Sequence, residues 1–252
     1  MKINQLGLIG YPLGHSFSAS YFKNKFAEEN ITSFNYNLFP LENINLFPAF
    51  LKNNPDLIGL SVTIPYKQSI LKYLDEIDSA AEKIGAVNTL SIYNQNDVPY
   101  IKGFNTDYIG FEESIKPLLS QQHTNALILG TGGAAKAVQY SLNRLGINFL
   151  SISRTENNEA ISYEQLNDVI MMQHKVIINT TPLGMFPQLN TCPLIPYHAL
   201  TKEHLLFDLV YNPDVSLFLQ KGKELGAKVK NGIEMLHLQA NLAFEIWKKA
   251  LV

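Results

Sequence analysis

The sequence predicts an α/β protein of two units. Apolar, strand-like runs alternate with amphipathic helical stretches, and one of those runs opens a glycine-rich turn. Ala126-Leu127-Ile128-Leu129 is continuously apolar, as a parallel strand buried on both faces requires, and it passes directly into Gly130-Thr131-Gly132-Gly133-Ala134-Ala135. The 252 residues exceed the roughly 100–200 of a common domain, so two units are expected. With 46% hydrophobic and 17% charged residues, the chain has apolar side chains enough for more than one core.

In chain order, residues 6–9 read as a first strand, and Ser18 reads as the cap of a helix that buries Phe22 and Phe26 before Asn30 ends it. Residues 34–39 read as a strand, 44–51 as a helix, and 58–63 as a third strand closed by Pro65. A polar helix-forming stretch over 75–83 precedes runs at 88–93 and 100–104, which flank residues 94–97 as a hairpin. The first unit then ends near Asn105. A linking helix over 108–119 leads to the strand at 126–129, a helix ending at Gly146, and further apolar runs at 147–152, 176–178 and 205–210, the rhythm of a doubly wound sheet. Residues 233–251 carry Leu236, Ala240, Ala243 and Trp247 on one helical stripe, which needs a core to pack against.

The bulk properties exclude several classes. A formal net charge of −2 with dispersed lysines and arginines offers no basic arm for nucleic acid. Cys192 is the only cysteine, so no intrachain disulfide forms and no oxidising compartment is indicated. The apolar run after Met1 is broken by Gly10 and Pro12 and fits neither a signal peptide nor a membrane span, so a cytoplasmic protein without membrane contact is expected. The six histidines show no metal-ligand spacing, and no metal is expected.

Chemistry is written at the strand ends. The glycine-rich turn matches the G-x-G-x-x-A pattern, in which glycines let backbone approach a pyrophosphate at the positive end of a helix. After the next strand, where enzymes using NAD often place an acidic residue on the ribose hydroxyls, stands Ser153-Arg154-Thr155. A guanidinium there suits a 2′-phosphate and hence NADP, though it also fits an ordinary exposed arginine with Glu156 nearby. Asn179-Thr180-Thr181-Pro182-Leu183-Gly184-Met185 and Asp208-Leu209-Val210-Tyr211-Asn212-Pro213 are polar turns at strand ends, where open α/β sheets hold ligands; Tyr211 fits equally as packing. In the first unit, Ser16 and Ser18 lie two residues apart after the first strand. They can grip a carboxylate with both hydroxyls, or serve as turn residue and helix cap. Lys67 lies just beyond a strand end and Asp107 at the junction between the units; alone, each reads as a solvated surface charge.

Taken together, these segments resemble the shikimate dehydrogenase family from Gly10 to Gln239, in the family's order. They are residues 10–18, 61–67, Gly85-Ala86-Val87-Asn88-Thr89, Asn105-Thr106-Asp107, the glycine loop, Ser153-Arg154-Thr155, residues 179–185, 208–213, and Gly232-Ile233-Glu234-Met235-Leu236 with Gln239. The resemblance implies two α/β domains with a cleft between them. Residues 1–106 plus 233–252 would bind substrate, and 107–232 would form a Rossmann-like NADP-binding domain. It implies NADPH-dependent reduction of 3-dehydroshikimate to shikimate in aromatic amino-acid (chorismate) biosynthesis, by a monomer or homodimer. Ser16 and Ser18 would hold the substrate carboxylate; Thr63, Asn88, Tyr211 and Gln239 would line the site; Lys67 and Asp107 would meet the ring hydroxyls as the catalytic pair. Gly130, Gly132, Gly133 and Ala134 would face the pyrophosphate, Arg154 and Thr155 the 2′-phosphate, and Thr180 and Met235 the nicotinamide end. Two positions depart from the family pattern. Ala19 stands where a proline usually follows the second serine, and Ser153 replaces the usual asparagine before Arg154, with no further basic residue before Tyr163. A quinate/shikimate dehydrogenase using NAD is the neighbouring alternative, sharing fold and most of the site.

Overall fold

Strand and helix alternate through the chain to give two six-stranded sheets. The computed structural model describes residues 3–14, 17–95, 98–156 and 158–250. The chain divides into Met1–Thr106 with Ala240–Val252, and Asp107–Gln239. Residues 233–239, expected with the first unit, group with the second. Met235 packs in the cluster of Phe111 and Phe207, and a Cβ on Gly110 would stand 2.7 Å from the Met235 carbonyl oxygen, a closeness that only glycine permits.

The first unit contains β1 (Asn4–Gly10), α1 (Phe17–Glu28), β2 (Phe34–Pro40), α2 (Phe47–Asn53), β3 (Leu57–Val62), β4 (Glu76–Ile77), α3 (Ser79–Ile84), β5 (Thr89–Gln95) and β6 (Val98–Phe104). Its sheet runs β2-β1-β3-β5-β6-β4, with β1 parallel to β2 and β3, and with β3, β5 and β6 successively antiparallel. Several elements differ from expectation. Ser18 lies inside α1 rather than capping it, and the helix expected over 44–51 starts as a tight 3-10 turn, Ile44–Leu46, whose cap Asn43 accepts from the N–H of Asn45. The stretch at 75–83 opens with the two-residue strand β4, and the helix starts only after Asp78, whose carboxylate accepts from the N–H of Ala80. The hairpin strands reach Gln95 and Val98, pairing there across residues 96 and 97, which lie outside the described residues.

Trp247 closes this unit's core. It is fully buried, its Nε1–H donates to the Leu90 carbonyl at 2.9 Å, and a Cβ added at Gly59 would fall on its indole ring. The stripe expected on the last helix is present at Ala240, Ala243 and Trp247, while Leu236 is only half-buried and Phe244 takes the remaining core position. Phe22 and Phe26 pack in the same cluster, and α1 gives way to Asn30 in the left-handed conformation, φ 54°.

The second unit contains α4 (Asp107–Ile115), β7 (Asn125–Leu129), α5 (Gly133–Arg144), β8 (Asn148–Ser153), β9 (Ala160–Ser162), α6 (Asp168–Gln173), β10 (Val176–Asn179), β11 (Leu205–Asp208), α7 (Leu217–Glu224) and β12 (Lys228–Lys230); α8 (Ile233–Lys249) starts in it and ends in the first unit. All strand pairs are parallel, in the order β9-β8-β7-β10-β11-β12. Counted from β7 this is 3-2-1-4-5-6, the doubly wound dinucleotide-binding order, which reverses between β7 and β10. The linking helix is shorter than 108–119, because Pro117 lies two residues past Ile115 and the last turn tightens to 3-10 geometry. The four core strands carry the predicted apolar runs, with every residue of β10 and β11 buried.

Asp208 and Asn179 are register partners at the ends of β11 and β10, and both are fully buried. Asp208 accepts from Asn179 Nδ2 at 2.9 Å, from the Val210 N–H at 3.0 Å and from the Ser216 hydroxyl, while the Ser216 Oγ also accepts from the Leu219 N–H to cap α7. One carboxyl thus joins two strand ends and a helix start. Burial pushes its pKa up to about 6, against the three donors that favour the anion.

Two stability outcomes follow from these contacts. Gly59→Ala should lower stability by about 1–3 kcal/mol through overpacking against Trp247. Combining it with Trp247→Phe should cost less than the sum of the two changes in denaturant unfolding, since the smaller ring yields space. For Asp208 the folded carboxyl holds its proton more tightly than the unfolded one does. Its stabilising contribution is complete below about pH 4 and lost as pH rises through about 6, a swing of roughly 3 kcal/mol from the size of the shift. A carboxyl-carbon NMR titration of Asp208 should have its midpoint near 6, and a midpoint below 4 would contradict this.

Candidate active site

Registers place the polar loops of the first unit at one end of its sheet. Ile9 pairs with Val62, Ser61 with Thr89, and Thr89 with Phe104, so the ends of β1, β3 and β6 and the start of β5 share an edge. Thr63, just past β3, donates its N–H to the Ile9 carbonyl at 3.0 Å and accepts from the Tyr66 N–H at 2.9 Å. The latter bond closes the turn that leads to Lys67. The Lys67 carbonyl in turn accepts from the Val87 N–H at 2.7 Å, tying the lysine's backbone to the segment before β5, and its side chain is half-buried.

Asn88 is the centre of this edge. It is 4% exposed; its Nδ2 donates to Thr106 Oγ1 at 2.9 Å, and its Oδ1 accepts the Thr106 N–H at 2.7 Å and the Thr89 hydroxyl at 3.1 Å. Asn105 Nδ2 donates to the Ala86 carbonyl at 2.9 Å. The buried amides therefore fix the path of the Asn105-Thr106 turn, and Asp107 follows as the first residue of α4, where the helix end favours a carboxylate; it is 5% exposed. The bonds to Asn88 give Thr106 a structural role that its sequence motif does not show.

Ser18 stands in the first turn of α1 and is half-buried, while Tyr36 on β2, which no sequence pattern singles out, donates its hydroxyl to Ser61 Oγ at 2.9 Å. Ser16 lies outside the described residues. Gln239, on α8, donates from Nε2 to the Leu236 carbonyl at 2.9 Å; Tyr211, past β11, is half-buried; Met235 is 6% exposed and lies in the core cluster with Phe111.

In the second unit the switch between β7 and β10 brings two of the predicted loops together. Gly130 has φ 114°, and a Cβ there would lie 2.6 Å from Thr180 Oγ1, so the position demands glycine on both counts. Thr180 donates to the Leu129 carbonyl from its hydroxyl at 2.8 Å and from its N–H at 3.0 Å, locking the β10 loop against the glycine turn. Gly132 caps α5 without a side-chain hydrogen bond, and a Cβ on it would meet nothing within 4 Å. Room thus remains above the first-turn N–H groups, with Gly133 and Ala134 half-exposed there. These features fit a dinucleotide pyrophosphate.

Past β8, Arg154 and Thr155 are exposed, and the Thr155 N–H donates to Ser153 Oγ at 3.4 Å. Burial pushes the nearby Tyr163 hydroxyl up to about 12, and the Arg154 charge opposes that rise, which places the guanidinium within electrostatic reach of the tyrosine. The two buried histidines have structural partners. His204 accepts the Thr201 N–H at Nδ1 and therefore donates from Nε2 to the Met171 carbonyl at 3.0 Å, while His123 closes a turn with the Ser120 N–H in the same way. Among the described residues no group of three or more His, Cys, Asp or Glu could hold a metal ion, and no helix is long and apolar enough to cross a membrane.

The family model for the shikimate dehydrogenase substrate binding domain matches residues 8–90. The protein of Methanococcus maripaludis named shikimate dehydrogenase (NADP(+)) is 37% identical over 262 residues, covering 98% of this chain and 92% of its own. Among solved structures, shikimate dehydrogenase from Aquifex aeolicus superposes with a TM-score of 0.85 at 30% identity, over 98% of this chain and 93% of that one. The Thermus thermophilus enzyme in complex with NADP(H) and shikimate gives 0.84 at 28% identity, over 98% and 94%. Likeness at this level runs through both sheets and both sets of strand-end loops, and on that ground the chain belongs to the shikimate dehydrogenase family.

Proposed function

We propose that the protein catalyses the reversible, NADPH-dependent reduction of 3-dehydroshikimate to shikimate, a step of aromatic amino-acid biosynthesis, in the cytoplasm. The observation that carries this reading is one chain bearing both the rigid polar edge around Lys67 and Asn88 and the reversed-order parallel sheet with its glycine turn. Likeness to a named NADP(+) shikimate dehydrogenase over 98% of the chain supports the substrate and the coenzyme. On this reading the unit 1–106 with 240–252 takes the acid substrate and the unit 107–239 takes the dinucleotide.

When bound, NADPH supplies the hydride that reduces the substrate's carbonyl carbon. Lys67 delivers a proton to the carbonyl oxygen from its ammonium group and is reprotonated from solvent, while Asp107 accepts a hydrogen bond from the neighbouring ring hydroxyl and orients it. Asn88 and Thr63 hold the ring, with Tyr211 and Gln239 completing its surroundings, and Ser16 and Ser18 donate to the carboxylate. Gly130, Gly132, Gly133 and Ala134 present backbone to the pyrophosphate; Thr180 and Met235 border the nicotinamide. Arg154 and Thr155 take the 2′-phosphate, the arginine by a charge-assisted fork that an adenosine lacking this phosphate does not engage.

Steady-state kinetics test the assignment. Lys67→Ala should lower turnover by roughly a hundred- to ten-thousandfold with NADP binding retained, and Asp107→Ala should do likewise. The double variant should be scarcely worse than the poorer single one, as for groups acting as a unit. Near-normal turnover in Lys67→Ala would reject the mechanism. Arg154→Ala should weaken NADP binding by about 1.5–3 kcal/mol, roughly ten- to hundredfold, and leave NAD little affected; equal losses for both coenzymes would reject the phosphate assignment.

A further inference from the structure

The loop that leaves β10 is held at both ends. Beside the glycine turn, the Thr180 hydroxyl and N–H are both taken by the Leu129 carbonyl, and Thr181 presents its methyl group: a Cβ on Gly130 would stand 3.1 Å from Thr181 Cγ2. The Thr181 hydroxyl faces the other way. It donates to Asn179 Oδ1 at 2.6 Å, the Thr181 N–H donates to the same oxygen at 3.0 Å, and Thr181 Oγ1 accepts from the Leu183 N–H at 3.3 Å. At the far end Gly184 has φ 88°, and a Cβ on it would lie 3.3 Å from Ser216 Cβ. The segment thus runs from the glycine turn to the cluster of Asp208 and Ser216.

Everything in this arrangement depends on which way the Asn179 amide faces. Its two ends have the same shape and opposite hydrogen-bonding character. Nδ2 donates to Asp208 Oδ1 at 2.9 Å and to the Leu183 carbonyl at 3.3 Å, which leaves Oδ1 for the two Thr181 donors. Turned over, the amide would set its oxygen against two acceptors and its NH2 against the Thr181 N–H. Asp208 enforces the first orientation. Its Oδ1 also accepts the Val210 N–H and its Oδ2 takes the Ser216 hydroxyl, so Oδ1 remains an acceptor whether the carboxyl is ionised or carries a proton on Oδ2. Asn179 and Asp208 are both fully buried, where a mismatched pair is costly.

We propose that Asn179, oriented by Asp208, is a positioning residue for coenzyme binding: it holds Thr181 with its hydroxyl inward and its methyl toward Gly130, so that the β10 loop stands as a fixed wall beside the pyrophosphate turn. This rests on the reading that the unit 107–239 takes the dinucleotide. Gly132 leaves the first turn of α5 open on that side, and Thr180 and Thr181 are the groups that approach Gly130. A loop already held by these bonds needs no ordering when the coenzyme arrives. Freed of them, Thr181 and its backbone would have to be immobilised on binding, and affinity would fall by that cost. Asn179 and Asp208 act through Thr181, and their effect belongs to the coenzyme rather than to the acid substrate.

The test titrates the full chain with NADP alone by calorimetry, then measures KM for NADP and for shikimate. Asn179→Ala should weaken NADP binding roughly two- to tenfold, the effect of a lost neutral hydrogen bond, with the shikimate KM unchanged. Thr181→Val keeps a methyl for Gly130 and removes the hydroxyl; it should show the same split with a smaller rise, and should add nothing on the Asn179→Ala background. Asp208→Asn keeps the accepting oxygen and should retain most of the affinity that Asp208→Ala loses. Where either buried alanine variant fails to fold, Thr181→Val, read from the loop side of the same bond, decides the claim. Unchanged NADP binding in folded Asn179→Ala and Thr181→Val, or equal rises in both KM values, overturns the positioning role. An Asp208→Asn variant as weak as Asn179→Ala overturns the part given to the Asp208 oxygen. Failure of the unaltered protein to bind NADP overturns the coenzyme reading itself.

Discussion

Parallel pairing is the constraint from which both candidate sites grow. A parallel strand cannot turn back directly onto its neighbour, so each is followed by a crossover, and the carboxyl ends of the strands collect on one edge. In the second unit the order reverses between β7 and β10, and the two loops leaving those strands are held together by the bonds from Thr180 to Leu129. In the first unit the antiparallel pair β5 and β6 joins a parallel set in a register that delivers Asn88 and Thr106 to the same edge as Thr63.

Strand ends expose backbone groups that the sheet no longer satisfies, and each unit answers with buried polar side chains. The Asn88 side chain bonds Thr89 and Thr106 in the first unit, and Asp208 with Asn179 ties two strand ends in the second. Such groups are costly if left unpaired and rigid when paired. The loops that carry Lys67 and Thr180 are therefore held by backbone bonds to ordered neighbours, which is the preorganisation that positioned catalysis requires. Arg154, by contrast, stands exposed past β8.

The long apolar runs were legible because burial on both faces demands them, and β7, β10 and β11 fall within a residue or two of their predicted positions. The strands β4, β9 and β12 were not legible. They have two or three residues and sit at sheet edges, and Lys228–Lys230 carries a lysine at each end, so pairing with a neighbour rather than a local apolar pattern makes them strands. Of the candidate site, the glycine turn could be read from local chemistry, whereas Lys67 and Asp107 gained meaning only through family likeness. Tyr36 looked like any aromatic on a strand, because its partner Ser61 is remote in sequence. Asp208 lies in a polar strand-end turn that the sequence shows, but its tie to Asn179 depends on the β10–β11 register, which no single segment encodes.

The central claim is the pairing of one substrate with one coenzyme. The most direct measurement incubates the purified protein with 3-dehydroshikimate and NADPH, and in parallel with 3-dehydroquinate and with NADH, following coenzyme absorbance and assaying the product. The account predicts NADPH consumption matched mole for mole by shikimate, with the other pairings slower. Turnover of 3-dehydroquinate with NADH, and none of 3-dehydroshikimate with NADPH, would contradict it.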